Sequence, residues 1–166
     1  MKTTLIFILC FVSVSVFAQN IPENYNEGMK NLKEKNYSSA ILYFSKAIKE
    51  DEKFEKAYLN RGICYEFLMD HEKAITDFNM VLLLNSKNAL AYYNRGLIFK
   101  NTNQLNMAIE DFTNAFHLDS TNKFAIYNRA LVKLQMGDFD TACVDLAIAA
   151  DMGIKNAVEI IKYTCK

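Results

Sequence analysis

The sequence contains few residues that interrupt helices and no excess of charge of either sign. Pro22 is the one proline among 166 residues, and it lies where a helix is predicted to start, a position that tolerates proline. The chain has 19 basic and 19 acidic side chains, with no basic stripe. Because nucleic-acid binding requires neutralisation of phosphates, the composition argues against a nucleic-acid partner.

Residue sets that carry catalysis or hold cofactors are also missing. His71 and His117 are the only histidines, and neither has metal-ligand spacing around it. The sequence has no glycine-rich phosphate loop, no serine nucleophile elbow and no Cys-x-x-Cys motif. Without a convergent set of titratable groups, we expect neither an enzyme nor a cofactor or metal site.

The sequence does contain an internal repeat of 34 residues. Alanine, aromatic, glycine and asparagine positions recur in register along the chain. They are Ala40, Ala74, Ala108 and Ala142; Phe44, Phe78, Phe112 and Leu146; Gly28, Gly62, Gly96 and Ala130; and Asn26, Asn60, Asn94 and Asn128. A fixed period of this size is typical of stacked-repeat solenoids, which usually provide a surface that holds another molecule.

Each unit divides into two amphipathic helices. In the third unit, apolar residues recur at helical spacing on both sides of a break at 101–104. The break is short, so the two helices are predicted to fold back as an antiparallel hairpin. Gly62 and Ala74 lie about equally far from the second unit's turn and are expected to let the two helix axes approach.

The repeat motifs point to a known family. The runs AYLNRG at 57–62 and AITDF at 74–78 resemble tetratricopeptide repeats, as do AYYNRG at 91–96 and AIEDF at 108–112. The resemblance implies an all-α, right-handed α-solenoid of antiparallel helix hairpins, with repeats at about 21–54, 55–88, 89–122 and 123–152. Glu52, Ser86 and Ser120 replace the family's usual proline. A final helix at about 155–165 is expected to cap the last repeat.

The N-terminal segment has the features of a secretory signal peptide. Lys2 supplies the charged start, residues 5–17 form the apolar stretch, and cleavage is predicted after Ala18. Removing residues 1–18 would take away Lys2 and no acidic residue, leaving 18 basic and 19 acidic side chains in the domain at 19–166. The segment resembles bacterial export signals, which predicts a periplasmic or secreted protein with no membrane span after cleavage. The alternatives are an uncleaved membrane anchor and a lipoprotein, although the position of Cys10 inside the apolar stretch argues against lipidation.

Three cysteines remain after that cleavage, and two of them are predicted to pair. Cys143 precedes Gly153 by 10 residues and Cys165 follows it by 12. An antiparallel hairpin with its turn near Gly153 brings both to the same level, as a disulfide requires. The alternative is two free thiols on a helix face. Cys64 is predicted to be a small buried core residue.

The recurring asparagines and their neighbours are the candidate binding residues. First helices line the concave groove in the family that the motifs resemble, and the recurring side chains there provide amide groups and aromatic or apolar surface. The set is Tyr25, Asn26, Leu59, Asn60, Tyr93, Asn94, Tyr127 and Asn128. The alternative is that the asparagines bond a neighbouring helix or are solvated. Lys33, Lys56 and Lys100, against Glu66, would make the groove mildly basic.

Arginine and aspartate also recur in register, as Arg61, Arg95 and Arg129 with Asp77, Asp111 and Asp145. We predict an internal series of ion pairs rather than an anion site. Each arginine is expected to lie level with the aspartate of its own unit and with that of the unit before, so that Arg95 bridges Asp77 and Asp111.

These features predict a non-catalytic interaction scaffold. It would hold a peptide or a partner protein of unknown identity in the concave groove, without a cofactor. The alternative is a structural module that self-associates through its N-terminal end near Tyr25, which has no obvious cap in the sequence.

Overall fold

The structure, a computed structural model, describes residues 22–165. The predicted signal peptide and its cleavage site lie outside the described residues. Within them the chain forms nine α-helices and no strand. The helices are α1 (Glu23–Lys33), α2 (Tyr37–Glu50), α3 (Glu55–Phe67), α4 (His71–Leu84), α5 (Ala89–Asn101), α6 (Leu105–Leu118), α7 (Lys123–Gln135), α8 (Phe139–Asp151) and α9 (Lys155–Thr164).

Each helix packs mainly against the one before and the one after it, so the chain stacks as four hairpins followed by α9. The prediction of an all-α repeat solenoid is confirmed. The first helices α1, α3, α5 and α7 also contact one another across the stack, whereas the second helices of the described units make no comparable contacts. The first helices therefore form the inner, concave layer and the second helices the outer one. We call the exposed side of α1, α3, α5 and α7 the concave wall.

Local signals fix where the helices begin and end. The side chains of Asp70, Asn88, Asn122 and Asp138 each accept a backbone N–H in the first turn of the helix that follows. All four turns inside the hairpins pass through a residue with positive φ. These residues are Lys35, Met69, Asn103 and Gly137, and the left-handed conformation ends each first helix. None of the described helices is long and apolar enough to cross a membrane.

The aromatic residues that recur in the sequence form the centre of each hairpin. Phe44, Phe78 and Phe112 are fully buried, as is Leu146 in the fourth unit. A Cβ atom placed on Gly62 would lie 2.8 Å from the Phe78 ring and 3.2 Å from the Cβ of Asp77. The absence of a side chain at Gly62 therefore makes room for the Phe78 ring, which packs directly against the helix backbone. In the fourth unit, Ala130 occupies the glycine position and the smaller Leu146 occupies the phenylalanine position.

We expect Gly62→Ala to destabilise the protein by about 1–2 kcal/mol, because overpacking costs roughly 1–3 kcal/mol and exceeds the helix propensity that alanine gains. Adding Phe78→Leu, which reproduces the fourth unit's pair, should recover part of that loss. Urea unfolding of the two single variants and the double variant measures the coupling. Strictly additive effects would contradict the proposed contact between this glycine and the ring.

The C-terminal helix covers the last repeat. Ala157 of α9 is buried in one cluster with Ile126, Leu146 and Ala149, and Ile160 and Ile161 pack against that cluster. Cys165, at the end of α9, is joined to Cys143 of α8 by a disulfide whose Cα atoms are 5.8 Å apart. The end of the solenoid is therefore closed by an apolar helix that is also covalently tied.

The opposite end begins with a polar surface. At the positions where α3, α5 and α7 bury Ala57, Ala91 and Ala125 against the preceding hairpin, α1 has Glu23. Where they bury Cys64, Ile98 and Val132, α1 has Lys30. Both α1 residues are exposed, so this face of α1 does not offer the apolar surface expected of an uncapped end.

Candidate functional site

The recurring tyrosines and asparagines pair between neighbouring repeats. Asn60 donates from Nδ2 to the Tyr25 hydroxyl at 3.0 Å, and Asn128 donates to the Tyr93 hydroxyl at 3.4 Å. Both amides also donate to the carbonyl four residues earlier in their own helix. Asn60 and Asn128 therefore follow the alternative raised from the sequence, in which the asparagines bond a neighbouring helix. Their hydrogen bonds hold adjacent first helices together.

The series is interrupted between the second and third repeats. Asn94 is 8% exposed, and its Nδ2 has no hydrogen-bond partner. By register its partner would be residue 59, where the chain has leucine in place of tyrosine, so no hydroxyl is present. A buried amide without a partner is uncommon and costs stability. Asn94 is thus the one buried asparagine of the series within 22–165 whose amide nitrogen has no hydrogen-bond partner.

The remaining members of the predicted groove set have separate surroundings. Asn26 is exposed. Leu59 packs against the core of the second hairpin, and Tyr127 packs against the C-terminal cluster that α9 closes. Burial raises the pKa of the Tyr25 and Tyr93 phenols, so both remain neutral hydrogen-bonding groups at physiological pH.

We expect Leu59→Tyr to stabilise the protein by about 1 kcal/mol, because the new hydroxyl would reach the unpaired Asn94 amide. The converse change, Tyr25→Phe, removes the acceptor of Asn60 and should cost a similar amount. Thermal unfolding of both variants tests the pairing, with Tyr163→Phe at an exposed position as the control. A loss of stability in the Leu59 variant would contradict the assignment.

The charge at one position of the concave wall changes sign between the second and third repeats. Lys100 donates to the Asn128 Oδ1 at 2.6 Å, and burial lowers the pKa of its ammonium group. Glu66 occupies the position of Lys100 one repeat earlier. It makes no ion pair or side-chain hydrogen bond with any described residue, and burial raises the pKa of its carboxyl, an effect that nearby His71 opposes. Lys33 and Lys56 are exposed.

The arginines and aspartates form bidentate pairs inside each hairpin. Arg61, Arg95 and Arg129 each donate from Nε and Nη2 to the carboxylate of their own unit, Asp77, Asp111 and Asp145, at 2.7–2.8 Å. The aspartates are at most 3% exposed. Burial raises the pKa of Asp111, and the hydrogen bonds from Arg95 oppose that shift. Lys133 adds a second cation to Asp145 at 2.8 Å.

The bridge from Arg95 to Asp77 does not form among the described residues. Arg95 instead donates from Nη1 to Asn79, which lies two residues after Asp77. Arg61 and Arg129 make the corresponding bonds to Ser45 and Thr113 of the preceding units. Because Asp77 already receives two donors from Arg61, the outer guanidinium nitrogen of Arg95 bonds the next polar side chain on the exposed surface of α4.

Cys64 is a buried core residue, as the sequence predicted, and its thiol has inert surroundings. Cys64 is fully buried, and burial raises the pKa of its thiol to about 12. Residues 22–165 hold no group of three or more His, Cys, Asp or Glu side chains that could bind a metal ion.

The geometry defines a helical-repeat solenoid of the kind that serves as a protein–protein interaction scaffold. Models of the tetratricopeptide repeat match residues 55–88 and 89–122. Residues 55–122 of the chain are thus two tetratricopeptide repeats, and the family resemblance predicted from the sequence is confirmed. A search of curated proteins found no match.

Solved structures share the fold at low sequence identity. A crystal structure of MamA is 23% identical over 78% of this chain and 70% of its own, with a TM-score of 0.73. YrrB, described as having an unusual peptide-binding site, is 18% identical over 81% and 70%, with a TM-score of 0.73. The first repeat domain of Spaghetti (RPAP3), bound to the HSP90 peptide SRMEEVD, is 23% identical over 75% and 98%, with a TM-score of 0.69.

Proposed function

We propose that this protein is a non-catalytic interaction module that holds an extended segment of a partner protein against its concave wall. The observation that carries the proposal is the wall itself, a continuous inner layer of first helices with unsatisfied polar groups and exposed apolar side chains. Leu90 and Phe124 are 46% and 53% exposed and lie one turn before Asn94 and Asn128. Peptide binding by YrrB and by the RPAP3 domain supports the same use of this fold.

We further propose that the protein works in the cell envelope or outside the cell. The signal-like sequence at 1–18 supports export. The disulfide between Cys143 and Cys165 supports an oxidising compartment, because such bonds persist there and are rare in the cytosol. Protein identification by mass spectrometry in fractionated cells tests both points. A full-length chain in the cytosolic fraction, beginning at Met1, would contradict them.

The binding surface is tested by charge substitutions at exposed apolar residues. Leu90→Glu with Phe124→Glu places charges on the concave wall, and we expect capture of a partner from envelope extract to fall about tenfold. Leu42→Glu with Val144→Glu is the matched control, because these residues are similarly exposed on the outer helices α2 and α8. Equal capture by both double variants, or loss only in the control, would contradict a concave binding site.

Self-association through the N-terminal end is the alternative function. It needs an apolar docking face, and the exposed Glu23 and Lys30 of α1 do not provide one. Sedimentation velocity over a wide range of protein concentration separates the two proposals. A size that changes with dilution, and that charges placed near Tyr25 make constant, would favour self-association.

A further inference from the structure

Four polar side chains lie at the junction between the second and third repeats. They are Glu66 at the end of α3, His71 at the start of α4, and Tyr93 and Asn94 of α5, and we call them the Glu66 cluster. The Glu66 carboxylate lies close enough to the Tyr93 phenol to raise its pKa further, and His71 lies close enough to Glu66 to oppose the rise in the pKa of that carboxyl. Register places Asn94 beside Glu66, because Lys100, the equivalent of Glu66, bonds Asn128, the equivalent of Asn94.

The cluster contains several polar groups without partners. The Asn94 Nδ2 and the His71 Nδ1 are buried and make no hydrogen bond. Glu66 is partly buried and is not paired with any cation of the described residues. Buried polar groups are normally satisfied, and each exception calls for an explanation. Here the Glu66 carboxylate, an acceptor, and the Asn94 amide, a donor, both lack partners at the same junction between repeats.

The equivalent residues between the third and fourth repeats show how the Glu66 cluster differs from its counterpart. One repeat later the corresponding positions are filled by Lys100 and Asn128, which bond each other, and Asn128 also bonds Tyr93. In the Glu66 cluster the lysine is replaced by a carboxylate and the tyrosine by Leu59. Both replacements remove an internal partner of the asparagine, and the first also reverses the local charge. The polar groups between the third and fourth repeats therefore bond one another, whereas those of the Glu66 cluster remain without partners.

From this arrangement we propose that the Glu66 cluster binds a lysine or arginine side chain of the extended partner segment. The carboxylate accepts hydrogen bonds from the ammonium or guanidinium group, which is the strong, charge-assisted kind. Leu90, exposed one helical turn before Asn94, contacts the aliphatic part of the cation's side chain. This inference rests on the proposed peptide-binding function and specifies the charge of its ligand.

The test uses three fluorescent pools of extended decapeptides that differ only in one central residue, which is lysine, norleucine or glutamate. Fluorescence anisotropy with the chain from Gln19 onward reports the apparent affinity of each pool. We expect the lysine pool to bind about tenfold more tightly than the norleucine pool, and the glutamate pool to bind most weakly. Glu66→Gln should reduce the lysine preference to less than about twofold while the norleucine affinity stays the same.

A control variant and a folding check separate recognition from folding. Glu110→Gln removes an exposed carboxylate on α6 and should leave the lysine preference intact. Circular dichroism should show that Glu66→Gln keeps the folded state, so that a lost preference reflects recognition. Equal binding of the lysine and norleucine pools, or an unchanged preference in Glu66→Gln, overturns the cation site but leaves peptide binding standing. Binding of none of the pools overturns both.

Discussion

Replacing Asp111 with alanine is expected to destabilise the protein by about 3 kcal/mol. The carboxylate is buried and receives two hydrogen bonds from Arg95. Without it, the guanidinium, whose side chain is only 20% exposed, loses both of its carboxylate hydrogen bonds and keeps only a weaker electrostatic interaction with Glu110. Breaking such a pair by removing one partner costs roughly 3–5 kcal/mol when both groups are buried, and partial exposure of Arg95 places the effect at the lower end.

The loss should appear in urea unfolding followed by circular dichroism and as a fall in melting temperature of roughly 6–12 °C. The neighbouring carboxylate of Glu110, which is exposed, provides the control, because Glu110→Gln should change stability little. A double variant, Arg95→Met with Asp111→Leu, removes both charges and should recover most of the loss. If the single and double variants are equally unstable, packing volume and not the unpaired charge determines the effect.

The second large effect is expected at the C-terminal end. Reduction of the bond between Cys143 and Cys165 should lower the stability of that end by about 3 kcal/mol, the chain-entropy value for a loop of 22 residues. The change should begin locally, because α9 is joined to the stack mainly through α8. Hydrogen exchange should therefore accelerate first in α9 and the facing part of α8, before the central hairpins respond.

Two measurements make this prediction decisive. Thiol titration of the unfolded, unreduced chain from Gln19 onward should find one reactive thiol, that of Cys64, whereas a chain without the disulfide would give three. Cys143→Ser with Cys165→Ser should reproduce the effect of reduction and make the protein insensitive to dithiothreitol. If reductant lowers the stability of that double variant as well, the effect does not come from this bond.

The period of 34 residues was sufficient to predict the hairpins, their order and the family. Repeats impose the same environment on equivalent positions, so one unit's amphipathic pattern constrains all four. The pairing of each arginine with the aspartate of its own hairpin is set by distance from the turn and could be inferred in the same way. The second contact of Arg95 could not, because it depends on the rotation between successive hairpins, which the period does not specify.

Equivalent positions that differ in residue type between units also predict structural features, which the shared repeat pattern does not show. Comparing Glu23 and Lys30 with their counterparts in later units would have revealed the polar face of α1 from the sequence alone. The effect of Leu59 could not be predicted in this way, because Asn94, the residue that it leaves without a hydrogen-bond partner, lies 35 residues away in the sequence. Only the packed structure shows that a tyrosine of one repeat bonds the asparagine of the next, and that this bond is lost once.

The polar face of α1 and the tethered helix α9 also affect where the repeat array could be lengthened. Growth at either end would bury Glu23 and Lys30 or would require α9 to be displaced against its covalent tie. The interior interfaces carry neither restriction, since the second and third units repeat the same packing positions. Duplication of residues 89–122 inside the array would therefore lengthen the wall without disturbing either of these two features.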